Sequence, residues 1–390
     1  MRAGSRETPA RRPGVFVDAR KAADFGIGRY ITGLLSGLET LDAYDLTALV
    51  RAEAAGLLPQ SVRPILSRAG HYSIGELTAV RMAFARSGAV LFHAPHYVVP
   101  FFPPGRTVVT IHDLMHLTRP EHSSTARRLY ARTMIGRAVR SAARILCVSS
   151  SVARELALAY PAALDKTVVI PNGVDGRFLA EVPPETIEEL RNRYRLPDCW
   201  VLFLGNDKPH KNLNGLLRAF ASARAQSDAV ARATLVLAGG ADGRREGRAR
   251  AILELGLGGA VLDLGVVPDR DVPPLVAGAA ALALPSLDEG FGLPVLEAQA
   301  LGTPVVCSNR GGLPEAAGDA ALVVDPAPEP LAQALVTVLE NEAVRRDLAS
   351  RGRERAKELT WAKVAARTAA VYGEVLAVPG KGATPSAPET

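Results

Sequence analysis

Short apolar runs rich in Val, Ile, Leu and Phe recur along the chain, mostly without the strict alternation that marks a sheet with one wet face. In the first half they are VFVDA (15–19), LTALV (46–50), AVLFHA (89–94), RTVVTIHD (106–113), RILCVSS (144–150) and TVVIPNG (167–173). In the second half they are WVLFLG (200–205), ATLVLAGG (233–240), AVLDLG (260–265), AALALPS (280–286), TPVVCS (303–308) and AALVVD (320–325). Runs of this length predict strands buried on both faces. The helical stretches between several of them predict parallel, doubly wound sheets of the α/β class. A Pro-rich, polar break at 176–186 (GRFLAEVPPET) divides the series. The pattern therefore predicts two Rossmann-like domains, 14–180 and 181–360, facing a central cleft. A last helical stretch, 361–377, is expected to pack back on the N-terminal domain, and the tails 1–13 and 378–390 are expected to be disordered.

The 390 residues, 48% apolar and 22% charged, agree with two folded domains and exclude a small disulfide-stapled module. No apolar run is long enough to span a bilayer. The basic start, MRAGSRETPARRPG, lacks an apolar h-region, so a secretory signal is not expected and the expected compartment is the cytoplasm. Cys147 and Cys307 fall in apolar runs, and with Cys199 they read as small core residues, not reactive thiols. The net charge of +6 is uneven: residues 1–180 carry 23 Lys+Arg against 13 Asp+Glu, and residues 181–390 carry 23 against 27, giving +10 and −4. The densest basic stretch holds Arg119, Arg127, Arg128, Arg132, Arg137, Arg140 and Arg144, with Leu129, Thr133, Ile135, Ala138 and Val139 at roughly helical spacing. It predicts an amphipathic helix whose arginines face solvent or an anionic surface. No zinc spacing, aromatic RNP strand or helix-turn-helix pattern accompanies the charge, so nucleic acid is not an expected partner.

Ligands of doubly wound sheets sit beyond the carboxyl ends of the strands, which makes the residues after each strand the candidates. GIGRY (26–30) places Gly26 and Gly28 ahead of a helical pattern, where backbone amides can approach a phosphate. It is not a dinucleotide fingerprint, since Ile31 holds the third glycine position, and an ordinary turn is the alternative. His112 ends an apolar strand and can face the cleft, with Asp113 beside it to orient it or cap the next element. His93, His96, His112, His116 and His122 lie within 30 residues, but without metal-ligand spacing, so no metal is expected. In GNDKPHKNLNGLLRAF (205–220), Lys208, His210 and Lys211 precede a helix capped by Asn212 or Asn214. Cations there suit a diphosphate, because charge, dipole and free amides add. In PSLDEGFGLPVLEAQALGTPVV (285–306), Glu289 closes a loop, Gly290-Phe291-Gly292 offers amides to an anion, and Pro294 suits a first helical turn carrying Glu297. Asp269-Arg270-Asp271 reads as a helix cap, not a metal site.

The segment EGFGLPVLE (289–297) resembles the E-x7-E motif of retaining glycosyltransferases of the GT-B fold, in the large family four that includes bacterial mannosyltransferases. GIGRY, TIHDL, PNGVD (171–175), KPHKNL and the block 266–326 extend the resemblance over most of the chain. The resemblance implies that Glu297 binds the ribose of a nucleotide sugar. It implies that Glu289 and the loop of Gly290, Phe291, Gly292 and Leu293 hold the donor sugar and its phosphate. Lys211 would contact the diphosphate, with Gly26 and Gly28 near it, and His112 would meet the sugar from the opposite wall. His112 and Glu289 are thus the expected catalytic residues. Where many members carry Arg, this chain has Asn206, and Lys208 is expected to supply the missing charge. The implied reaction is retaining and metal-independent, with no cofactor. GDP-mannose is the expected donor and a glycan or polyprenyl-linked acceptor of envelope or polysaccharide synthesis the expected acceptor, the basic half touching an anionic membrane at its inner face. A UDP- or dTDP-hexose, a small-molecule acceptor and a non-catalytic sugar-nucleotide-binding regulator are the alternatives. A nicotinamide oxidoreductase is disfavoured by the missing third glycine.

Overall fold

The computed structural model describes residues 12–67, 74–100, 102–103, 106–119, 124–240 and 243–378. Most of both expected tails, and His122, lie outside the described residues. Seven parallel strands, β1 (Gly14–Asp18), β2 (Asp45–Arg51), β3 (Arg63–Ser67), β4 (Leu91–Ala94), β5 (Arg106–Ile111), β6 (Arg144–Cys147) and β7 (Thr167–Val169), form one sheet in the order β3-β2-β1-β4-β5-β6-β7. Six more, β8 (Trp200–Leu204), β9 (Thr234–Ala238), β10 (Val261–Gly265), β11 (Ala281–Leu284), β12 (Val305–Ser308) and β13 (Leu322–Val324), form a second parallel sheet in the order β10-β9-β8-β11-β12-β13. Helices cover both faces, so adjacent strand residues enter different cores: Val15 and Val17 pack on one side of β1 and Phe16 on the other. The strand order reverses between β1 and β4 and again between β8 and β11, and these are the crevices where a doubly wound sheet takes ligands.

All twelve apolar runs form strands. β3 (RPILS) is the one the pattern missed, since Pro64 argues against a strand; it lies at the sheet edge, where a lost N–H leaves no ladder bond unmade. The break at 176–186 contains a short helix, Gly176–Leu179, anchored by fully buried Phe178, and the start of the helix Pro184–Tyr194. The basic stretch forms the helix Thr125–Ser141, started by the Ser124 hydroxyl accepting from the Arg127 amide at 3.3 Å. Its buried face carries Met134, Ile135, Ala138 and Val139, whereas Leu129 and Thr133, read as apolar positions of that face, point outward. Asp271 does not cap through its side chain; it accepts from Arg193 at 2.9 Å and Tyr194 at 2.8 Å, tying the neighbouring helix down. Arg12 and Pro13, placed in the tail by the sequence, are fixed to the first sheet by an ion pair to Asp42 and by the Asp45 amide donating to the Pro13 carbonyl at 3.2 Å. Cys147 and Cys307 are fully buried in β6 and β12, and burial pushes both thiols up to about 12.

The chain crosses between the sheets twice, and the crossings lie side by side: Val174 bridges Thr360, and its amide donates to the Leu359 carbonyl at 2.8 Å. The final helix, Trp361–Ala377, then lies along the first-sheet helix Phe25–Leu41. The contact depends on missing side chains. A Cβ at Gly33 would come within 2.2 Å of the Trp361 ring, one at Gly37 within 2.5 Å of the Trp361 carbonyl oxygen, and one at Gly173 within 2.5 Å of its amide nitrogen. Further along, the Tyr372 hydroxyl meets His93 Nδ1 at 2.6 Å, His93 Nε2 meets the Thr110 hydroxyl at 2.8 Å, and Thr110 meets the Tyr30 hydroxyl at 2.8 Å. Burial drives His93 down to about 3, so this network is neutral. Trp361→Ala should remove the aromatic wedge and destabilise the protein by about 3 to 5 kcal/mol. Chemical denaturation checks it, and an unchanged midpoint would show that the wedge does not hold the returning helix.

Candidate active site

A cleft of about 380 Å³ separates the carboxyl edges of the two sheets. His112 and Asp113, just past β5, line it from the first domain. Asn206, past β8, and the segment Glu289–Pro294, past β11, line it from the second, together with Lys211. The two walls touch where Gly290 meets β5. A Cβ on Gly290 would lie 1.7 Å from the His112 carbonyl oxygen, and the Ser149 hydroxyl donates to the Gly290 carbonyl at 2.7 Å. Gly311 and Gly312 press on the same loop from behind: a Cβ on either would come within 2.3 Å and 2.2 Å of the carbonyl oxygens of Glu289 and Gly290.

Lys211 ends a single 3₁₀ turn, Pro209–Lys211, whose exit residue Asn212 adopts a left-handed conformation at φ 55°. Asn212 precedes the helix Leu213–Gln226, but its side chain does not cap it; its amide donates to the carbonyls of Pro285 at 3.2 Å and Pro326 at 2.9 Å. Those bonds fix the lysine turn to the glutamate loop. The Lys211 ammonium then pairs with Glu289 Oε1, which also accepts from the Ser286 hydroxyl at 2.7 Å. Burial pushes Glu289 up, but Lys211 and Ser286 outweigh it and hold the carboxyl below its ordinary range. The pair is neutral overall, and Lys211 keeps N–H groups for an anion.

Gly292, at φ 112°, turns the chain into the helix Leu293–Leu301 with Pro294 in its first turn. Among the described residues, no backbone acceptor takes the N–H groups of Phe291, Gly292 or Leu293. Free amides at a helix start are donors an anion can use, and the Lys211 ammonium lies beside them. Facing it, burial drives His112 down to about 4, so the imidazole is neutral. Its Nε2 donates to the Pro95 carbonyl at 2.9 Å, which leaves Nδ1 as an acceptor. An edge-to-face contact with Tyr30, centroids 4.7 Å apart, fixes the ring. The Asp113 carboxylate accepts from the Met115 amide at 3.2 Å and so caps the turn at Met115.

The structure brings Gly26, His112, Asn206, Lys211, Glu289, Gly290, Phe291, Gly292 and Leu293 to one cleft. Three expected residues are placed differently. Gly28 lies in the first turn of the helix Phe25–Leu41 and off the cleft; a Cβ there would lie 2.4 Å from the Ala22 carbonyl oxygen, so its role is packing. Lys208 is exposed and is not among the residues that line the cleft. Glu297 is in the second helical turn, not the first, and is buried in an ion pair at 2.5 Å with Arg29, a residue that lines the cleft. Arg29 lines the cleft and was missed because GIGRY was read for its glycines. Asn172, of the PNGVD segment, and Gly239-Gly240, after β9, also line it. The Gly-Gly pair at a strand end was a visible signal: a Cβ at Gly239 would meet the Gly205 carbonyl at 1.9 Å. No group of three His, Cys, Asp or Glu side chains converges as metal ligands among the described residues, and no helix of these residues is long and apolar enough to cross a membrane.

Two Rossmann-like domains facing a cleft define a GT-B architecture. Residues 26–177 match the model of Glycosyltransferase Family 4, and residues 187–355 that of Glycosyl transferases group 1. The chain is 31% identical over 284 residues to the O-antigen chain mannosyltransferase B of Escherichia coli, covering 72% of this chain and 74% of that protein. It is 32% identical over 351 residues to a D-inositol 3-phosphate glycosyltransferase of Nocardioides, covering 85% and 75%. Anabaena HepE in complex with UDP-glucose superposes with a TM-score of 0.75 at 20% identity, over 93% of this chain and all of that one. The chain belongs to the GT-B glycosyltransferases related to group 1 and family 4, enzymes that move a sugar from a nucleotide-sugar donor to an acceptor.

Because burial keeps His112 neutral, turnover should show no histidine titration near pH 6.5. Its acid limb should appear only as pH falls toward about 4, where Nδ1 gains a proton and stops accepting. A pH–rate profile checks this, and a limb near 6.5 abolished by His112→Asn would contradict it.

Proposed function

We propose that the protein is a retaining, metal-independent hexosyltransferase that moves mannose from GDP-mannose to a hydroxyl of a glycan or polyprenyl-linked acceptor in envelope or polysaccharide synthesis. The observation that carries the reading is the Lys211–Glu289 pair beside the unengaged amides of Phe291, Gly292 and Leu293, across the cleft from a neutral His112. As the bond from the anomeric carbon to the donor phosphate breaks, the departing diphosphate gains negative charge. Lys211, the amides and the helix dipole are placed to stabilise it, the role a metal ion plays in other transferases. The acceptor hydroxyl attacks on the face the diphosphate leaves, and its proton passes to a phosphate oxygen. His112 Nδ1 accepts from a donor-sugar hydroxyl and orients the ring. Mannose is supported by the mannosyltransferase named among the relatives.

Glu289→Gln and Lys211→Met should each lose roughly 100-fold or more in kcat at a temperature where a melting curve shows the variant folded. Turnover should survive a chelator, and GDP-mannose should raise the melting temperature by mass action. Normal turnover in both variants would remove the site assignment, and a shift given only by UDP-glucose or a dTDP-sugar would replace the donor.

The acceptor-side domain carries the charge excess, and exposed Leu129 shares one side of the helix Thr125–Ser141 with Arg132, one turn on, and Arg140, three turns on. We place this face against the anionic inner leaflet, in a cytoplasmic enzyme peripheral to the membrane. Vesicles with anionic lipid should capture the protein and neutral vesicles should not; equal capture by both would count against it.

A further inference from the structure

Glu297 is 2% exposed, and its two oxygens differ. Oε1 accepts from Arg29 Nη1 at 2.5 Å, whereas Oε2 has no hydrogen-bond partner. The pair crosses the molecule: Arg29 belongs to the helix Phe25–Leu41 of the first domain and Glu297 to the helix Leu293–Leu301 of the second. A buried carboxylate without a counterion takes a proton, and a lone unsatisfied oxygen in such a place needs a donor. The other charged groups facing Glu297 are Arg177 and Asp175, from the turn before Phe178. Arg177 is itself shared with Asp175 and Asp269, each at 3.7 Å, so it is not Glu297's own counterion. Arg29 is the only one of these groups that makes a direct hydrogen bond to Glu297, and it also lines the cleft.

We infer that Arg29 is a positioning residue for donor binding: by holding Oε1 it fixes the Glu297 side chain, with Oε2 left to accept a ribose hydroxyl of the donor. The inference rests on the proposed reading that the donor is a nucleotide sugar. It adds that the acceptor-side domain completes the donor site, so nucleotide affinity is tied to the approach of the two domains. Burial already raises Glu297 above its ordinary range with Arg29 in place, and losing the guanidinium raises it further. Two features of the fold aim this arginine. Gly28 lets the first helical turn press on the Ala22 carbonyl, and Trp361 wedges the rest of the helix against the crossing segments. A lysine at the same position keeps the charge but loses the planar fork.

The experiment titrates GDP-mannose and UDP-glucose into the full-length wild type, Arg29→Met, Arg29→Lys and Glu297→Gln by calorimetry from about pH 5.5 to 8.5, with donor and acceptor KM measured in parallel. Arg29→Met should weaken donor binding about tenfold or more at the acid end, with the gap narrowing as pH rises and the carboxyl ionises again. Acceptor KM should stay unchanged, Arg29→Lys should recover most of the affinity, and in Glu297→Gln the pH dependence should vanish. A melting curve for each variant separates misfolding from lost binding, and Arg29→Lys preserves the test if Arg29→Met does not fold. Tighter donor binding in Arg29→Met would overturn the inference, because the pair would then be blocking the ribose. So would a pH-independent fall in kcat with normal donor affinity, which would put Arg29 on the reacting groups. A wild type that binds neither nucleotide sugar would sink the functional reading itself, whereas a wild type that binds and an Arg29→Met variant that binds equally well would sink this inference alone.

Discussion

A side chain on Gly290 would lie 1.7 Å from the carbonyl oxygen of His112, and the absence of that side chain is what lets the two halves of the site exist as one. The loop past β11 and the end of β5 come from domains with separate cores, and neither can contribute an imidazole and an ammonium to one cavity alone. Backbone-to-backbone contact at Gly290 brings them to van der Waals distance, and the Ser149 hydroxyl adds a hydrogen bond across the seam. The same loop is closed from behind by Gly311 and Gly312, so it is held between two backbones. The loop that carries the free amides is therefore held in place from both sides.

A second constraint sets how the domains are joined. The returning helix crosses to the first domain beside the outgoing segment, and Trp361 enters a groove made by Gly33, Gly37 and Gly173. Two adjacent crossings restrain relative motion more than one linker does. The wedge also reaches the chemistry, because Trp361 stacks edge-on against Tyr30, and Tyr30 against His112. The hydrogen-bonded series from Tyr372 through His93 and Thr110 to Tyr30 fixes the same ring from the other side. The crossing helix, far from the cleft in sequence, is thus part of what orients the histidine.

Charge in the interior is handled by pairing. Lys211 with Glu289, Arg29 with Glu297, and Arg20 with Asp18 each place a cation on a buried carboxylate. The Arg20–Asp18 pair is bidentate, at 2.7 and 2.6 Å, and keeps the Asp18 carboxyl low although burial pushes it up. In Glu297 burial wins over its cations and the carboxyl is raised. The two glutamates of one motif, eight residues apart, are therefore shifted in opposite directions, Glu289 below and Glu297 above the ordinary carboxyl range. Spacing alone would have made them equivalent.

Both sheets are legible in the order of the residues alone. Their strands are buried on both faces, so each is written as an unbroken apolar run, and every such run became a strand; β3 escaped because an edge strand tolerates the proline that argues against it. The lysine turn, the glycine loop and the first glutamate were also legible as cleft residues, since the cleft of a doubly wound sheet lies directly beyond its strand ends. Tertiary structure alone decided the rest. Gly28 and Gly290 look alike as loop glycines, and only the chain that approaches each one shows that the first serves packing and the second joins the domains. Lys208 and Lys211 are three residues apart, and the 3₁₀ turn that ends at Lys211 sends one to solvent and the other to Glu289. Arg29 and Glu297 are 268 residues apart. Local propensity acts within a turn or two of chain, whereas an ion pair depends on distance in space, and that distance is set only when both domains have folded and met.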